Sequence, residues 1–307
     1  MAQWLKHPAY LAARDRLVAR LQNSIAHSWH LPPIVFLCGA HRSERREQLA
    51  AYLRRHNPHV RFFYAEHVWH HIARLKHLNA LQMEEQLARL ADMIIIVVES
   101  PGTFAELGAF ASNSELRKKL LPIVDRRYEQ EESFINTGPV RWTDEESRFG
   151  PTIFADFDPF LLVADQVVDR IGAIQSTGRP LKEIESLPLA ERPKHLLYLL
   201  CDIVAIVGPT TSSVCIDILQ AVLGGKNPLL DVPTLLGLAE TMDLIQFVDE
   251  HDDGPIYHRP PINGVLEPYL HKRMFDLGLE RARFIGTMQK VPGHWASHFE
   301  AGVRKYA

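Results

Sequence analysis

Short apolar runs alternate with amphipathic stretches through the first half of the chain. The apolar runs predict strands and the stretches between them predict helices, with strands over 34–37, 60–64, 92–98 and 120–124 and helices over 44–55 and 78–90. Ile94 to Val98 is a continuous β-branched run, which suits a parallel strand buried on both faces. Strands that alternate with helices indicate an α/β fold with a doubly wound parallel sheet and right-handed crossovers.

Outside this region the pattern changes. An amphipathic helix is predicted over 8–28, residues 126–152 look polar and irregular, and a further helix is predicted over 160–174. Later helices are predicted over 193–207, 212–223, 233–242 and 265–284, with two short strands over 245–248 and 256–258. Three helices followed by a hairpin is the order of a winged helix-turn-helix.

The length of 307 residues suits two domains. We predict an N-terminal helical extension over 1–30 and a catalytic domain over 31–178. A linker over 179–192 then leads to a smaller, mainly helical, winged-helix-like domain with C-terminal helices over 193–307.

Composition favours a cytoplasmic protein. The three cysteines form no C-x-x-C pair and read as reduced thiols. The N-terminus lacks the apolar core of a signal peptide, and no stretch reaches the length of a membrane span. We therefore expect no membrane partner.

The turn after the third strand carries the strongest chemical signal. Ser100, Pro101 and Gly102 stop the strand, Thr103 can cap a following helix, and Glu106 stands at the capping-box offset from it. A carboxylate is thus predicted just past the carboxyl end of a central strand, where open α/β sheets bind ligands. The alternative is that Glu106 only caps its helix.

Two other carboxylates flank the same strand. Asp92 begins it and Glu99 ends it, and either one can orient sugar hydroxyls or act as general acid to a leaving base. The alternative for both is structural, a strand-end acid that hydrogen-bonds backbone or solvent. Glu99 ranks above Asp92 because the carboxyl ends of the strands face the site in this fold.

A phosphate site is predicted after the first strand. Gly39 allows close backbone approach, and the N-terminus of the next helix can bind phosphate beside His41, Arg42, Arg45 and Arg46. A solvated basic helix face is the alternative. His67, His70 and His71 have helical spacing suitable for a metal, but without a Cys cluster or an H-E-x-x-H motif we predict no metal site.

Four ordered segments carry a family resemblance: Phe36-Leu-Cys-Gly39, Glu99-Ser-Pro-Gly-Thr-Phe-Ala-Glu-Leu-Gly-Ala-Phe110, Leu116-Arg-Lys-Lys-Leu120 and Ser133-Phe-Ile-Asn-Thr-Gly-Pro-Val-Arg141. Together they resemble the effector protein of type II retrons, which has a nucleoside 2-deoxyribosyltransferase-like domain. The resemblance implies a toxic anti-phage N-glycosidase, restrained by a reverse transcriptase bound to its msDNA and non-coding RNA.

The same resemblance implies roles for individual residues. It implies that Glu106 is the nucleophile. We predict a substrate site formed by Cys38, Gly39, Arg42, Ser100, Gly102, Thr103 and Asn136, in which the part of Asn136 rests on the resemblance alone. Asn136 would reach the site from its own or a neighbouring subunit, and a site completed by a second subunit favours a homo-oligomer or a larger complex.

Leaving-group chemistry narrows the substrate. A carboxylate can stabilise or trap the positive charge that builds on the anomeric carbon when an N-glycosidic bond breaks. Nicotinamide leaves NAD⁺ as a neutral molecule, whereas a purine usually needs a proton donor. We therefore favour NAD⁺, as substrate and not as cofactor, over nucleosides. The base, ribose or deoxyribose, and hydrolysis or transfer all stay open.

Charge is unevenly distributed along the chain. Residues 1–76 carry twelve Lys/Arg against four Asp/Glu, and residues 191–262 carry four against ten. The presumed recognition helix over 233–242 has no Lys or Arg, and the presumed wing contains Asp249, Glu250, Asp252 and Asp253. Such a module would repel phosphates. We predict that it docks a protein, for example a basic reverse transcriptase.

Two alternative functions remain open at this point. One is a deoxyribosyltransferase or hydrolase of nucleotide salvage, although salvage needs no docking domain. The other is a non-catalytic, ligand-sensing winged-helix regulator, which would bind duplex DNA.

Overall fold

A computed structural model of the chain describes residues 3–24, 31–66, 79–176, 188–228, 230–251, 254–261, 267–269 and 275–291. The chain divides into two compact units, one made of residues 32–179 and the other of residues 1–31 together with 180–307. The N-terminal helix α1 (Pro8–Ser24) was predicted as a separate extension. It groups instead with the C-terminal part of the chain.

Five parallel strands form the sheet of the first unit. They are β1 (Ile34–Cys38), β2 (Arg61–Phe63), β3 (Met93–Val98), β4 (Leu120–Asp125) and β5 (Ile153–Ala155), in the spatial order β2-β1-β3-β4-β5. The chain runs from β1 outward to β2 and returns on the other side of β1, so the strand order reverses between β1 and β3. The predicted α/β architecture with a parallel, doubly wound sheet is confirmed.

Helices cover both faces of this sheet. They are α2 (Glu44–His56), α3 (Ala80–Leu90), α4 (Pro101–Ser112), α5 (Ser114–Arg117), α6 (Arg141–Glu146) and α7 (Ala164–Ser176). Alternate strand residues such as Val35 and Ile95 share one core cluster with residues of α2 and α7. On the opposite face the Phe36 ring stacks on Phe63 at 4.7 Å and lies 6.3 Å from Phe110 of α4. Burial on both faces explains the unbroken apolar run of β3.

The segment after β4 is more regular than its polar sequence predicted. It contains a π-helical turn over Asn136–Val140 and the helix α6, and it leads into the edge strand β5. Long-range contacts stabilise α6, because the Arg117 guanidinium lies 4.0 Å from the Trp142 ring and pairs with Glu146 at 2.9 Å. Short 3-10 turns span Gln3–Lys6, Arg126–Tyr128, Phe160–Val163 and Leu189–Glu191.

The second unit combines helices with a small antiparallel sheet. Its elements after α1 are α8 (Pro193–Val207), β6 (Thr210–Thr211), α9 (Ser212–Val222), α10 (Val232–Thr241), β7 (Gln246–His251), β8 (Gly254–His258) and α11 (Leu277–Met288). The sheet order is β6-β8-β7. The helix predicted over 265–284 is wrong in its first part, because residues 267–269 and 275–276 are not helical. The Asp276 side chain accepts from the Leu279 N–H and begins α11.

Polar contacts explain why α1 belongs to this unit. The Tyr10 hydroxyl donates to Asp217 of α9 at 2.7 Å, and Arg14 pairs with the same carboxylate at 3.1 Å. Arg20 pairs with Glu280 of α11 at 3.0 Å. These pairs connect residues far apart in sequence, so the sequence pattern did not reveal them.

The second unit contains a buried ion pair. Asp202 of α8 is fully buried, and its Oδ1 lies 2.8 Å from Nη1 of Arg259. The Tyr269 N–H donates to the same carboxylate at 3.0 Å, and the Arg259 guanidinium stacks 4.1 Å from the Tyr269 ring. Asp202 thereby ties the segment that follows β8 to α8. Within the described residues, no helix combines the length and the apolar character needed to span a bilayer.

Candidate active site

A cavity opens at the carboxyl end of β1, where the strand order reverses. Its volume is about 200 Å³, and its lining is formed by Phe36, Leu37, Cys38, Gly39, His41, Arg46, Ala65, Glu66, Glu84 and Glu106. One water needs only about 10–15 Å³ of such space, so the cavity can hold part of a small molecule. Doubly wound sheets bind their ligands at this position.

The turn that leads into α4 is built differently from the prediction. Ser100, not Thr103, is the N-cap of the helix. Thr103 completes the capping box, because its Oγ1 accepts from the Ser100 N–H at 2.9 Å and its own N–H donates to Ser100 Oγ. The capping box predicted between Thr103 and Glu106 is therefore wrong. The pair Ser100 and Thr103 has the same three-residue spacing, and Ser100 comes first along the chain. Ser100, Gly102 and Thr103 shape the turn and do not line the cavity.

Glu106 lies in the second turn of α4, so it takes no part in capping the helix. Its Oε2 atom is buried and has no hydrogen-bond partner among the described residues. Burial raises the pKa of this carboxyl to about 8, and the charges of Glu84 and Glu66 add to the increase while Arg46 opposes it. A carboxyl group without a partner, facing a cavity, is the arrangement expected of a reactive group.

Two further carboxylates, Glu84 of α3 and Glu66 after β2, line the same cavity. Sequence reasoning missed both, although Glu66 follows the predicted strand over 60–64 by only two residues, while Glu84 lies inside a predicted helix. Burial raises the pKa of Glu84, and the nearby Glu66 raises it further. The amphipathic pattern of α3 predicted a helix, but only tertiary packing determines which of its polar residues faces the cavity.

Arg46 of α2 is the buried cation of the cavity. Its side chain is only 3% exposed, it pairs with Glu66, and its guanidinium lies 4.5 Å from the Tyr64 ring. Gly39 makes room for it, because a Cβ at position 39 would come within 3.0 Å of Arg46 Cδ. Cys38 is beside it, and burial and the charge of Glu106 raise the pKa of its thiol. An unionised, buried thiol is a poor nucleophile.

Glu99, predicted to end the third strand, directly follows β3 and does not line the cavity. Its Oε2 accepts from Arg45 Nη1 at 3.0 Å, and its Oε1 accepts from the Ala40 N–H at 3.3 Å. The Arg45 guanidinium also donates to the Phe157 carbonyl at 3.0 Å. These contacts support the structural alternative for Glu99, which links the turn after β1 to the turn after β3.

The structure corrects the role predicted for Asp92. It precedes β3, so it lies at the amino end of the strand, whereas the cavity is at the carboxyl ends. Its Oδ2 accepts from the Ile34 N–H at 2.8 Å. Asp92 therefore holds the amino ends of β1 and β3 together, and we assign it no catalytic part.

Two predicted substrate-binding residues lie away from the cavity lining. Arg42 is exposed, in a turn where its φ of 58° lies in the left-handed region. The Asn136 side-chain amide donates to the carbonyls of Tyr128 and Glu131 at 2.6 and 2.8 Å. Its local role is to fold its own segment.

The histidines considered as metal ligands, at positions 67, 70 and 71, fall outside the described residues. Among the residues that are described, no group of three His, Cys, Asp or Glu side chains is arranged to hold a metal ion.

The raised pKa of Glu106 predicts a pH-dependent stability. Between the ordinary value of 4.5 and about 8, the folded chain keeps a proton that the unfolded chain has released. The free energy of unfolding should therefore fall as pH rises through this window. We expect Glu106→Gln to be more stable than wild type by roughly 1–2 kcal/mol at pH 8, after allowance for partial solvent screening, and equal to it below pH 4.5. Urea denaturation at both pH values measures this difference, and a variant that is less stable at pH 8 would contradict it.

Comparison with known proteins defines the class. The model of the STM3845 retron effector protein family matches residues 42–247, which is more than half of the chain. The "Retron Ec73 putative ribosyltransferase/DNA-binding protein" of Escherichia coli is 30% identical over 226 residues, or 67% of this chain and 72% of that protein. The "Retron Ec86 putative ribosyltransferase/DNA-binding protein" of the same species is 41% identical over 111 residues, or 35% of this chain and 36% of that protein.

The fold and the comparisons therefore define an effector protein of retrons. The chain belongs to the STM3845 retron effector protein family. The names of its relatives refer to ribosyl transfer, a glycosyl-transfer type of chemistry.

Proposed function

We propose that this retron effector is an N-glycosidase that cleaves the bond between a ribose and a base in NAD⁺ or a related nucleotide. The observation that carries the proposal is Glu106, a carboxyl group that faces the cavity with no hydrogen-bond partner for Oε2 among the described residues. The glycosyl chemistry in the names of the two relatives supports it. The toxic, defensive role of such an activity is part of the proposal.

The reaction would proceed in two steps. The bond between C1′ and the pyridinium nitrogen breaks, and its electron pair goes to that nitrogen, so nicotinamide leaves neutral without a general acid. The ionised Glu106 carboxylate stabilises the positive charge on C1′ or bonds to it covalently. Water then bonds to C1′ and one proton passes to solvent, giving ADP-ribose. On the covalent route the bond between C1′ and the Glu106 oxygen breaks in this step, and its electron pair returns to the carboxylate. The pKa of Glu106 is raised, so the site disfavours its ionised form. The positive charge of the bound substrate would favour that form.

The direct test is the release of nicotinamide from NAD⁺ by the purified protein. Nucleosides and deoxynucleosides are assayed in parallel for release of their bases, with and without an acceptor base. Release from nucleosides alone, or transfer to the acceptor, would favour the salvage type of enzyme instead. The Glu106 variant that completes this test is treated in the Discussion.

We also propose that the second unit contains a winged-helix-like module that docks a protein. The order of α8, β6, α9, α10 and the β7-β8 hairpin supports the first part of this proposal. Residues 234–239 of α10, the presumed recognition helix, are all buried, and the exposed Asp249 and Glu250 of β7 are acidic. A complex of reverse transcriptase and msDNA is the partner that the family suggests, and its binding would restrain the activity.

DNA binding is a second candidate function, since the names of both relatives include it. The buried α10 and the acidic β7 argue against it for this chain, because phosphate neutralisation supplies most nonspecific affinity. We expect no gel shift of random duplex DNA at low salt by the purified protein. A shift that weakens steeply as salt is added would overturn the docking proposal and favour a regulator.

A further inference from the structure

The charges around the cavity are unbalanced. Among the described residues, three carboxylates line it (Glu66, Glu84 and Glu106), together with one arginine and one histidine (Arg46 and His41). The guanidinium of Arg46 is already engaged by Glu66. Glu84 has no hydrogen bond and no ion pair with any residue in the described part of the chain. Among the described residues neither Glu84 nor Glu106 is paired with a cation, and Arg46 offsets the charge of Glu106 only in part.

Such a pair is unfavourable when the cavity is empty. Burial disfavours ionisation of both groups and raises the pKa of each. The charge of Glu84 raises the pKa of Glu106 further, and the charge of Glu66 raises the pKa of both. A neutral ligand that entered the cavity would increase the desolvation without relieving the repulsion. A cationic ligand relieves it, because it supplies the missing positive charge at short range and low dielectric.

Resting on the proposed N-glycosidase function, we propose that Glu84 makes this cavity selective for ribosides whose base carries a positive charge. Pyridinium ribosides such as NAD⁺ belong to this class, and neutral nucleosides do not. Glu84 acts as a specificity-determining residue through its charge, while Glu106 meets the anomeric carbon. Glu66 contributes less, since Arg46 neutralises it.

The matched control is the next residue along the chain. Glu85 belongs to the same helix α3, but it does not line the cavity. Its carboxylate pairs with Arg89 at 3.1 Å and accepts from the Asn113 side chain at 3.0 Å. Glu84→Gln and Glu85→Gln therefore remove the same charge from neighbouring positions, one facing the cavity and one facing away.

The test uses two ligands of nearly the same shape. N1-methylnicotinamide is a cation and nicotinamide is neutral, and neither has a ribose, so the protein cannot turn them over. Their dissociation constants are measured by calorimetry at pH 8.5 with wild type, Glu84→Gln and Glu85→Gln. We expect wild type and Glu85→Gln to prefer the cation by about tenfold or more, and Glu84→Gln to lose most of this preference.

Equal affinity for the two ligands in wild type overturns the inference, as does binding of neither. Equal loss of preference in the Glu84 and Glu85 variants also overturns it. The reaction is judged separately by nicotinamide release from NAD⁺. A cation preference without NAD⁺ cleavage would uphold the selectivity and reject the proposed reaction. NAD⁺ cleavage without a cation preference would uphold the reaction and reject the selectivity.

Discussion

Glu106→Gln should reduce nicotinamide release from NAD⁺ by about 10³-fold or more, while the chain stays folded. The amide keeps the size of the side chain but has no negative charge to stabilise or trap C1′. The helix should tolerate the change, because Ser100 and Thr103 form the cap of α4 without Glu106. Released nicotinamide is measured by chromatography, and folding is followed by circular dichroism.

Glu115→Gln is the matched control for this variant. Glu115 belongs to α5, is 66% exposed and pairs with Arg89 at 2.9 Å, away from the cavity lining. Its loss should leave the rate of NAD⁺ cleavage within about twofold of wild type, since exposed pairs contribute little. If Glu106→Gln kept more than a tenth of the wild-type rate, another group would have to be the nucleophile.

Asp202→Asn should lower the free energy of unfolding of the second unit by about 3–5 kcal/mol. The amide is neutral, so Arg259, only 4% exposed on its side chain, would be left as a buried charge without a counter-ion. The hydrogen bond from the Tyr269 N–H to this side chain would also become weaker, because an amide oxygen is a poorer acceptor than a carboxylate oxygen. Chemical denaturation monitored by fluorescence measures the loss.

Glu145→Gln removes one partner of an exposed pair and provides the comparison. Glu145 pairs with Arg141 at 3.0 Å, with both side chains more than half exposed. We expect a change of at most about 0.5 kcal/mol there. Similar changes in the two variants would show that the pair of Asp202 and Arg259 is not the structural centre that its burial indicates.

The sequence was informative where one local pattern determines the structure. The β-branched run of β3 favoured a doubly buried strand, and the Ser-Pro-Gly-Thr turn predicted a helix, α4, after its carboxyl end. From these two elements the position of Glu106 at the site followed. Capping was harder, because the pair Ser100 and Thr103 and the pair Thr103 and Glu106 have the same spacing, and only the first forms the box.

Other features depend on contacts between residues far apart in sequence. Glu84 and Glu66 meet Glu106 because α3 and the end of β2 pack beside β1, and no periodicity along the chain encodes that meeting. The helix α6 is short and follows Gly138-Pro139, so local rules predicted a loop, and the contact of Trp142 with Arg117 stabilises it. Asp92 was misjudged for a simpler reason, since the amino end of a strand faces away from such a site.

The independence of the α4 cap from Glu106 has a genetic consequence. Ser100 and Thr103 complete the capping box by themselves, so the helix does not need the carboxylate that the proposed reaction needs. A single missense change at codon 106 would silence the proposed activity and still yield a full-length, folded product. If the protein is as toxic as proposed, such alleles should arise readily among cells that survive its overproduction. An inert copy of this kind would still occupy the proposed restraining partner, so in a cell that also makes the active protein it would release active copies and increase their toxicity.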